Sequence, residues 1–532
     1  MNKKNNRIFF NGCIFTANPE QPYANTMVVQ EGKIDWIGDQ GDLEGISGEW
    51  MDLHGRRILP GFIDAHLHPL YLADAEKQIS CTPPLVNSIE DLLDQIRKQT
   101  EGQENNTWIQ GWGYDEGKLR EGRAPTRWDL DRSAVDVPVI ITRTCGHIVT
   151  VNSVALEMVG ITKETPNPEG GQIDKDANGE PTGILRENAR DLVHDVMPVP
   201  TLEESADSLA ALSPKLLGHG ITAITELMAR TEPVDYLDIY GEARDKGLKP
   251  RTVLYYKWED LANSSILNEE NTNNETPLHI GGIKLFSDGS VSGQTAWVNP
   301  PYSGGENTGI PMTSKETLMT AAKAAKKHRV QLVVHAMGEK AIDLIIDTFA
   351  GQKGWLDDAP SIRIEHAAMP TKRAIERAAE MGIAFVPQPI FLFAEIESYH
   401  HNLGPERTKQ AYPIQSMLET GIKLAFSSDA PATPWADPVN PFVGIKAAVT
   451  RKAYDGTDTG QDQRVDVATA IRLYTSAAQQ ITRVPRVGQL TEGYYADFMV
   501  LDQDILNIDV EDIDQVQVEE TYMSGEKVYQ KQ

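Results

Sequence analysis

The chain has 532 residues, and its 77 acidic against 50 basic side chains leave a net charge of −27 and a pI near 4.9. That balance argues against nucleic acid or an anionic membrane as a partner and fits an acidic protein with a substantial core. Three scattered cysteines, Cys13, Cys81 and Cys145, are too few for a disulfide framework or a thiolate zinc site, and no apolar run suits a signal peptide or a membrane span, so a reducing cytoplasm is the expected location.

Residues 7–58 carry a β texture. Two short apolar runs between Arg7 and Thr16 break at Asn11-Gly12, and Thr26–Gln30, Glu31-Gly32 and Lys33–Ile37 form a hairpin pattern. The C-terminal end repeats it, with strands expected at Ala496–Leu501 and Val516–Thr521 and a closing hairpin at Met523–Tyr529. Neither end has enough apolar positions to fold alone, so residues 1–58 and 483–532 are expected to form one small discontinuous β-sandwich domain.

Between them, residues 59–482 begin with the apolar stretch Ile58–Ala65, which ends in His66-Leu-His68. An irregular region of about 70–200 follows. It contains a helix pattern from Ser88 to Thr100, a Gly/Trp-rich stretch from Trp108 to Tyr114, and a Val/Ile-rich strand leading to Cys145-Gly146-His147. A loop of that length must carry its own structure, and an insertion after a barrel strand usually covers the active site.

From about 201, strands and helices alternate. Strands are predicted at Gly220–Glu226, Arg251–Lys257, Gly282–Phe286, Val330–His335, Ser361–His366, Ile383–Pro387 and Gly421–Phe426. Thr313 to Glu316 fits a capping box for the helix running to His328, and Gly382 stops the helix that starts at Thr371. With the His-x-His strand there are eight strands, which implies an α/β fold, a (β/α)8 TIM-like barrel.

Catalytic groups in such a barrel stand at the C-terminal ends of strands. His66 and His68 share one face at the end of the first strand, and His335 and His366 end the fifth and sixth. The eighth leads into Asp429, and Lys284 lies within the fourth. Histidine and aspartate without cysteine suit Zn²⁺, with Mn²⁺, Fe²⁺ or Co²⁺ as other occupants. A lysine ammonium has no lone pair, so beside metal ions Lys284 must be neutralised or modified. A CO₂-derived carbamate would make it an anionic oxygen ligand, and an ordinary lysine paired with Asp288 or Glu226 is the alternative.

Gly61-Phe-Ile-Asp-Ala-His-Leu-His68, together with Lys284, His335, His366 and Asp429, resembles the metal-dependent amidohydrolase superfamily. Within it, Ile283–Ser290, Gly111–Asp115 and Gly146-His147 resemble the YtcJ-like branch (amidohydrolase type 3), which includes N-substituted formamide deformylases. The resemblance implies one ion held by His66, His68 and Asp429, and a second held by His335 and His366, with carboxylated Lys284 as the bridge. Metal lowers the pKa of bound water, Asp429 is the expected general base and acid, and His147 is the candidate donor to a developing oxyanion. Trp112, Tyr114, Trp297 and Phe391 are candidates for an apolar substrate wall. The expected activity is hydrolysis of an amide-type C–N bond in a small molecule, with an N-substituted formamide or related amide as the candidate substrate and a homodimer as a candidate assembly. An esterase, lactonase or cyclic amidase on the same scaffold is the second enzyme reading. A non-catalytic binding barrel is the contrasting one, and such a relative would be expected to have lost ligands.

Overall fold

A computed structural model describes residues 6–42, 46–100, 108–134, 136–261 and 264–532. The reading of the extreme N-terminus as lacking a signal peptide therefore lies partly outside the described residues. Among the described residues, no helix is long and apolar enough to cross a membrane.

Seven parallel strands form the barrel wall: β1 (Phe62–Leu67), β2 (Ile221–Ala229), β3 (Arg251–Lys257), β4 (Leu278–Phe286), β5 (Gln331–Ala336), β6 (Ile362–His366) and β7 (Ala384–Val386), each paired with the next in chain order. Their side chains are buried almost throughout because helices cover the outer face and a filled core occupies the inside. The helices follow local signals. Lys315–His328 starts at Ser314, whose side chain accepts from the Thr317 amide, so the cap lies one residue beyond the predicted Thr313. Lys372–Met381 starts at Thr371 and ends at Gly382, held at φ +69° where a side chain would be strained.

The predicted eighth strand is reduced to a single bridge, Leu424 to Phe385. The turn after the helix Val467–Leu473 explains the loss. The Phe426 amide donates to the Leu473 carbonyl (2.9 Å) and the Ile63 amide to the Tyr474 carbonyl (2.8 Å), so this turn takes bonds that the eighth segment and β1 would otherwise exchange. The wall closes instead just beyond, where the Asp429 amide donates to the His66 carbonyl at 2.7 Å and the Ser428 amide to Asp64 Oδ1 at 3.1 Å. The architecture is a nearly closed TIM-like barrel.

The chain ends pack beside it. A four-stranded sheet holds Arg7–Phe10, Thr26–Gln30, Lys33–Gly38 and Glu49–Asp52, and the hairpin turns through Glu31 and Gly32, both at positive φ. A six-stranded sheet joins the two ends of the chain through Arg57–Pro60 and Phe498–Leu501, paired antiparallel with Ile58 opposite Val500. Phe9 from one sheet meets Phe498 and Tyr522 from the other, with ring centroids 4.9 and 5.3 Å apart. This contact is the centre of a discontinuous β-sandwich.

The inserted region builds a six-stranded sheet of its own, including Ile109–Tyr114, Val139–Arg143, Ile148–Val151 and Pro181–Glu187. The helix Ile89–Thr100, capped by Ser88 Oγ accepting from the Asp91 amide (3.1 Å), buries Leu92, Leu93 and Ile96 against this sheet. The end of the sheet delivers Arg143, His147 and Glu187 to the barrel.

Candidate active site

The four strand-end histidines come together. Ring centroids lie 5.2 Å apart for His66 and His68, 4.8 Å for His66 and His366, and 4.4 Å for His335 and His366. The parallel register produces this cluster, because Ala336 of β5 stands opposite His366 of β6 and the eighth segment brings Asp429 against β1. One Asp429 oxygen, Oδ1, lies 3.1 Å from Nε2 of His66 and 3.0 Å from Nε2 of His68. Donor atoms of His66, His366 and Asp429 all fall within 4.8 Å of one another.

Each imidazole is aimed by its other nitrogen. His66 Nδ1 meets Glu365 at 2.5 Å, and His366 Nδ1 meets Gln388 Oε1 at 2.7 Å. His68 Nδ1 faces Glu226 at 3.6 Å, whereas His335 is turned the other way, with Nε2 at 3.1 Å from the Gly289 carbonyl. Nε2 of His66 and of His68 is thus the nitrogen turned to Asp429, while His68 Nδ1 makes no hydrogen bond. Such outer partners set the tautomer and direction of a metal-ligating imidazole. Burial pushes His366 down to about 3, so its ring is a neutral lone-pair donor. Burial also opposes charge on His68, but its contacts with Asp429 and Glu226 outweigh this and raise it to about 9. Burial would raise Asp429, yet His66 and His68 hold its carboxyl well below the usual range.

Lys284 is buried at 1% exposure, and its Nζ has no hydrogen-bond partner. The two carboxylates considered as its partners are occupied elsewhere. Asp288 accepts from the amides of Met337, Gly338 and Trp297, and Glu226 accepts from the Tyr240 hydroxyl. Burial lowers the Lys284 amine to about 8. A buried amine without a hydrogen-bond partner, among imidazoles and a carboxylate, is a donor set suited to a bound group. The nitrogen and oxygen donors, with no thiolate, fit a divalent metal ion. Backbone strain is also concentrated here, at His366 (φ +68°), Ala367 (+44°) and Asp429 (+55°).

His147 reaches the site from the insertion, with its ring 5.1 Å from that of His335. Its Nδ1 lies 2.7 Å from Oε2 of Glu187, a buried residue at φ +49° whose amide donates back to the His147 carbonyl. A narrow cavity is lined by His147, His335, His366 and Asp429, and further by Phe391 and Glu395. Of the four aromatic residues expected on a substrate wall, Phe391 lines this cavity and stacks on His366 at 6.1 Å and 17°. The other three do not line it. Tyr114 is buried in the core of the inserted sheet, its hydroxyl 3.0 Å from Thr150 Oγ1. Trp112 ties the insertion to the segment after Asp429 by donating Nε1–H to the Pro431 carbonyl, and Trp297 packs against the main core. Glu365, Gln388, Glu187 and Glu395 went unrecognised in the sequence, where none stands in a distinctive pattern.

The model of the amidohydrolase family (Amidohydro_3) matches residues 49–529. The chain belongs to the amidohydrolase family. Its relatives include YtcJ of Bacillus subtilis (strain 168), 30% identical over 98% of this chain and 99% of that protein. The N-substituted formamide deformylase of Arthrobacter pascens is 26% identical over 100% of this chain and 99% of its own. Among solved structures, an uncharacterized metal-dependent hydrolase from Pyrococcus horikoshii superposes with a TM-score of 0.74 at 26% identity, covering 95% of this chain and 99% of that one. This amidohydrolase is therefore an enzyme of the hydrolase class acting on C–N bonds, on the barrel fold that the strand pattern predicted.

Proposed function

We propose that this amidohydrolase cleaves the amide-type C–N bond of a small molecule, an N-substituted formamide or a related amide. The convergence of His66 Nε2 and His68 Nε2 on Asp429 Oδ1 beside the unpartnered Lys284 amine is the observation that carries the reading. His66, His68 and Asp429 would hold one divalent ion, and His335, His366 and Lys284 a second, with Zn²⁺ first among Mn²⁺, Fe²⁺ and Co²⁺. Bound metal would supply a Lewis acid for the carbonyl and make water a competent nucleophile near neutral pH.

The chain's own groups account for the proton. Asp429 is acceptor-only when ionised, and its low pKa keeps it so at neutral pH. It takes a proton from the attacking water at a carboxylate oxygen as the C–O bond forms, then returns it to the leaving nitrogen as the C–N bond breaks. His147, oriented by Glu187, offers its Nε2 side to the cavity, where an N–H would meet the negative charge developing on the carbonyl oxygen. With its pKa lowered to about 8, Lys284 has a sizeable neutral fraction at physiological pH, and the neutral amine is the form that adds CO₂ to give a carbamate. Phe391 and the insertion residues Cys145 and His147 line the cavity and restrict water around the reacting groups. The relationship to a formamide deformylase supports the acyl group named here. The test is a panel of N-alkylformamides, N-acyl amines and lactones assayed with Zn²⁺- and Mn²⁺-loaded protein. Release of amine from a formamide is expected, and turnover confined to lactones overturns the reading.

A further inference from the structure

The same cavity contains a carboxyl group that the hydrolytic chemistry leaves unused. Glu395 lines it from the junction of two short helices, Ile390–Ala394 and Ile396–Leu403, and is only 3% exposed. A carboxylate so buried needs a compensating cation. The neighbouring cation is Arg143, but its guanidinium is committed elsewhere. It bonds Glu116 through Nε (2.9 Å) and through an Nη (3.1 Å), and it donates to Ser292 Oγ at 3.1 Å. Asp115 stands 3.8 Å from the same guanidinium and keeps one buried oxygen, Oδ2, without a hydrogen-bond partner. Arg143 therefore faces three carboxyl groups, Asp115, Glu116 and Glu395, and Arg186, the other cation near Glu116, is itself paired with Asp174 at 2.8 Å. Lys118 does not correct the imbalance, because its ammonium is bound to Glu397 at 2.6 Å and sits over the Tyr454 ring. Burial accordingly pushes Glu395 up to about 7.

Beside this carboxyl, the cavity is lined by two aromatic residues, Phe391 and Tyr399. A carboxylate that shares a desolvated pocket with aromatic side chains is the chemistry that recognises an alkylammonium, through a charge-assisted hydrogen bond and cation–π attraction. We propose that Glu395 is a specificity-determining residue that binds a protonated amine on the substrate, remote from the scissile bond, so that the preferred substrates are small amino-substituted amides. The proposal rests on the reading of the cavity as an amide-hydrolysing site and names the substrate class for it.

The test compares two isosteres, N-(3-aminopropyl)formamide and N-butylformamide, which differ by ammonium for methyl, in wild-type enzyme and in Glu395→Gln. Wild type is expected to favour the ammonium compound in kcat/KM by about tenfold or more, and Glu395→Gln to bring that ratio close to one. A wild-type ratio at or below one overturns the proposal and leaves amide hydrolysis standing. A binding measurement separates the two ideas without turnover. Calorimetry of wild-type protein with butylammonium and with 1-pentanol is expected to show tighter binding of the cation. That preference with no formamide or N-acyl amine cleaved supports the subsite while removing the amide reading, and equal or weaker binding of the cation overturns the subsite. The wild-type comparison stands even if Glu395→Gln fails to fold.

Discussion

Replacing Glu365 by leucine separates two contributions that the barrel interior combines. Glu365 and Arg363 are both 0% exposed and share hydrogen bonds of 2.6 and 2.9 Å, while Glu365 Oε2 also meets His66 Nδ1 at 2.5 Å. Leucine has a similar volume, so the loss is electrostatic rather than steric. Breaking one side of a buried ion pair typically costs about 3–5 kcal/mol because the other charge is stranded. Arg363 would keep the Ala65 carbonyl (2.5 Å) and the Tyr255 hydroxyl (3.5 Å), which places the expected loss near 3 kcal/mol, at the lower end of that range. The double change Arg363→Met with Glu365→Leu removes both charges and should recover stability to within about 1–2 kcal/mol of wild type. Metal affinity should behave differently. The His66 Nδ1–H loses its acceptor in both variants, so affinity is expected to fall about 10–100-fold in each. Urea denaturation of metal-free protein reads the first quantity, and competition against a chromophoric chelator reads the second. A double variant with wild-type metal affinity refutes the orienting role of Glu365, and a single variant of unchanged stability refutes the ion-pair argument.

Three further outcomes are expected. Asp429→Asn keeps a ligand oxygen but loses the proton acceptor, so turnover should drop by about 10²-fold or more while most metal remains in elemental analysis; near-normal turnover would leave Asp429 a structural role only. Lys284→Ala should lose part of the bound metal and nearly all activity, and Lys284→Arg should not substitute because arginine stays cationic. Wild-type protein supplied with ¹³C-bicarbonate should show a carbamate resonance that Lys284→Ala lacks, and its absence from both would exclude the modification. His147→Ala should reduce turnover far more than metal content, with Glu187→Gln shifting turnover in the same direction through the lost Nδ1 contact; parallel loss of metal and turnover would show that the pair supports the fold instead.

Much of this molecule was legible in its sequence because the signals are local. Strand and helix periods, the Glu31-Gly32 turn, the Thr371 cap and the Gly382 stop each depend on residues a few positions apart, and each appears where its local chemistry places it. The metal-ligand candidates were legible for the same reason, since a residue ending a parallel barrel strand has its place at the mouth determined by topology. Other features depended on segments far apart in the chain. The eighth strand lost its ladder to carbonyls of Leu473 and Tyr474, a competition that no pattern within Gly421–Phe426 records. His66 is aimed by Glu365, 299 residues away, and His147 by Glu187 at the end of the neighbouring strand of the inserted sheet, 40 residues on. Tyr114 and Phe391 looked alike as aromatic candidates, yet one packs inside the insertion and the other lines the cavity. Periodicity reports that a side chain is buried, whereas its partner is set by how separate elements dock. Hydrogen bonds and charge balance therefore distinguish a core residue from a site residue only once the tertiary structure has formed.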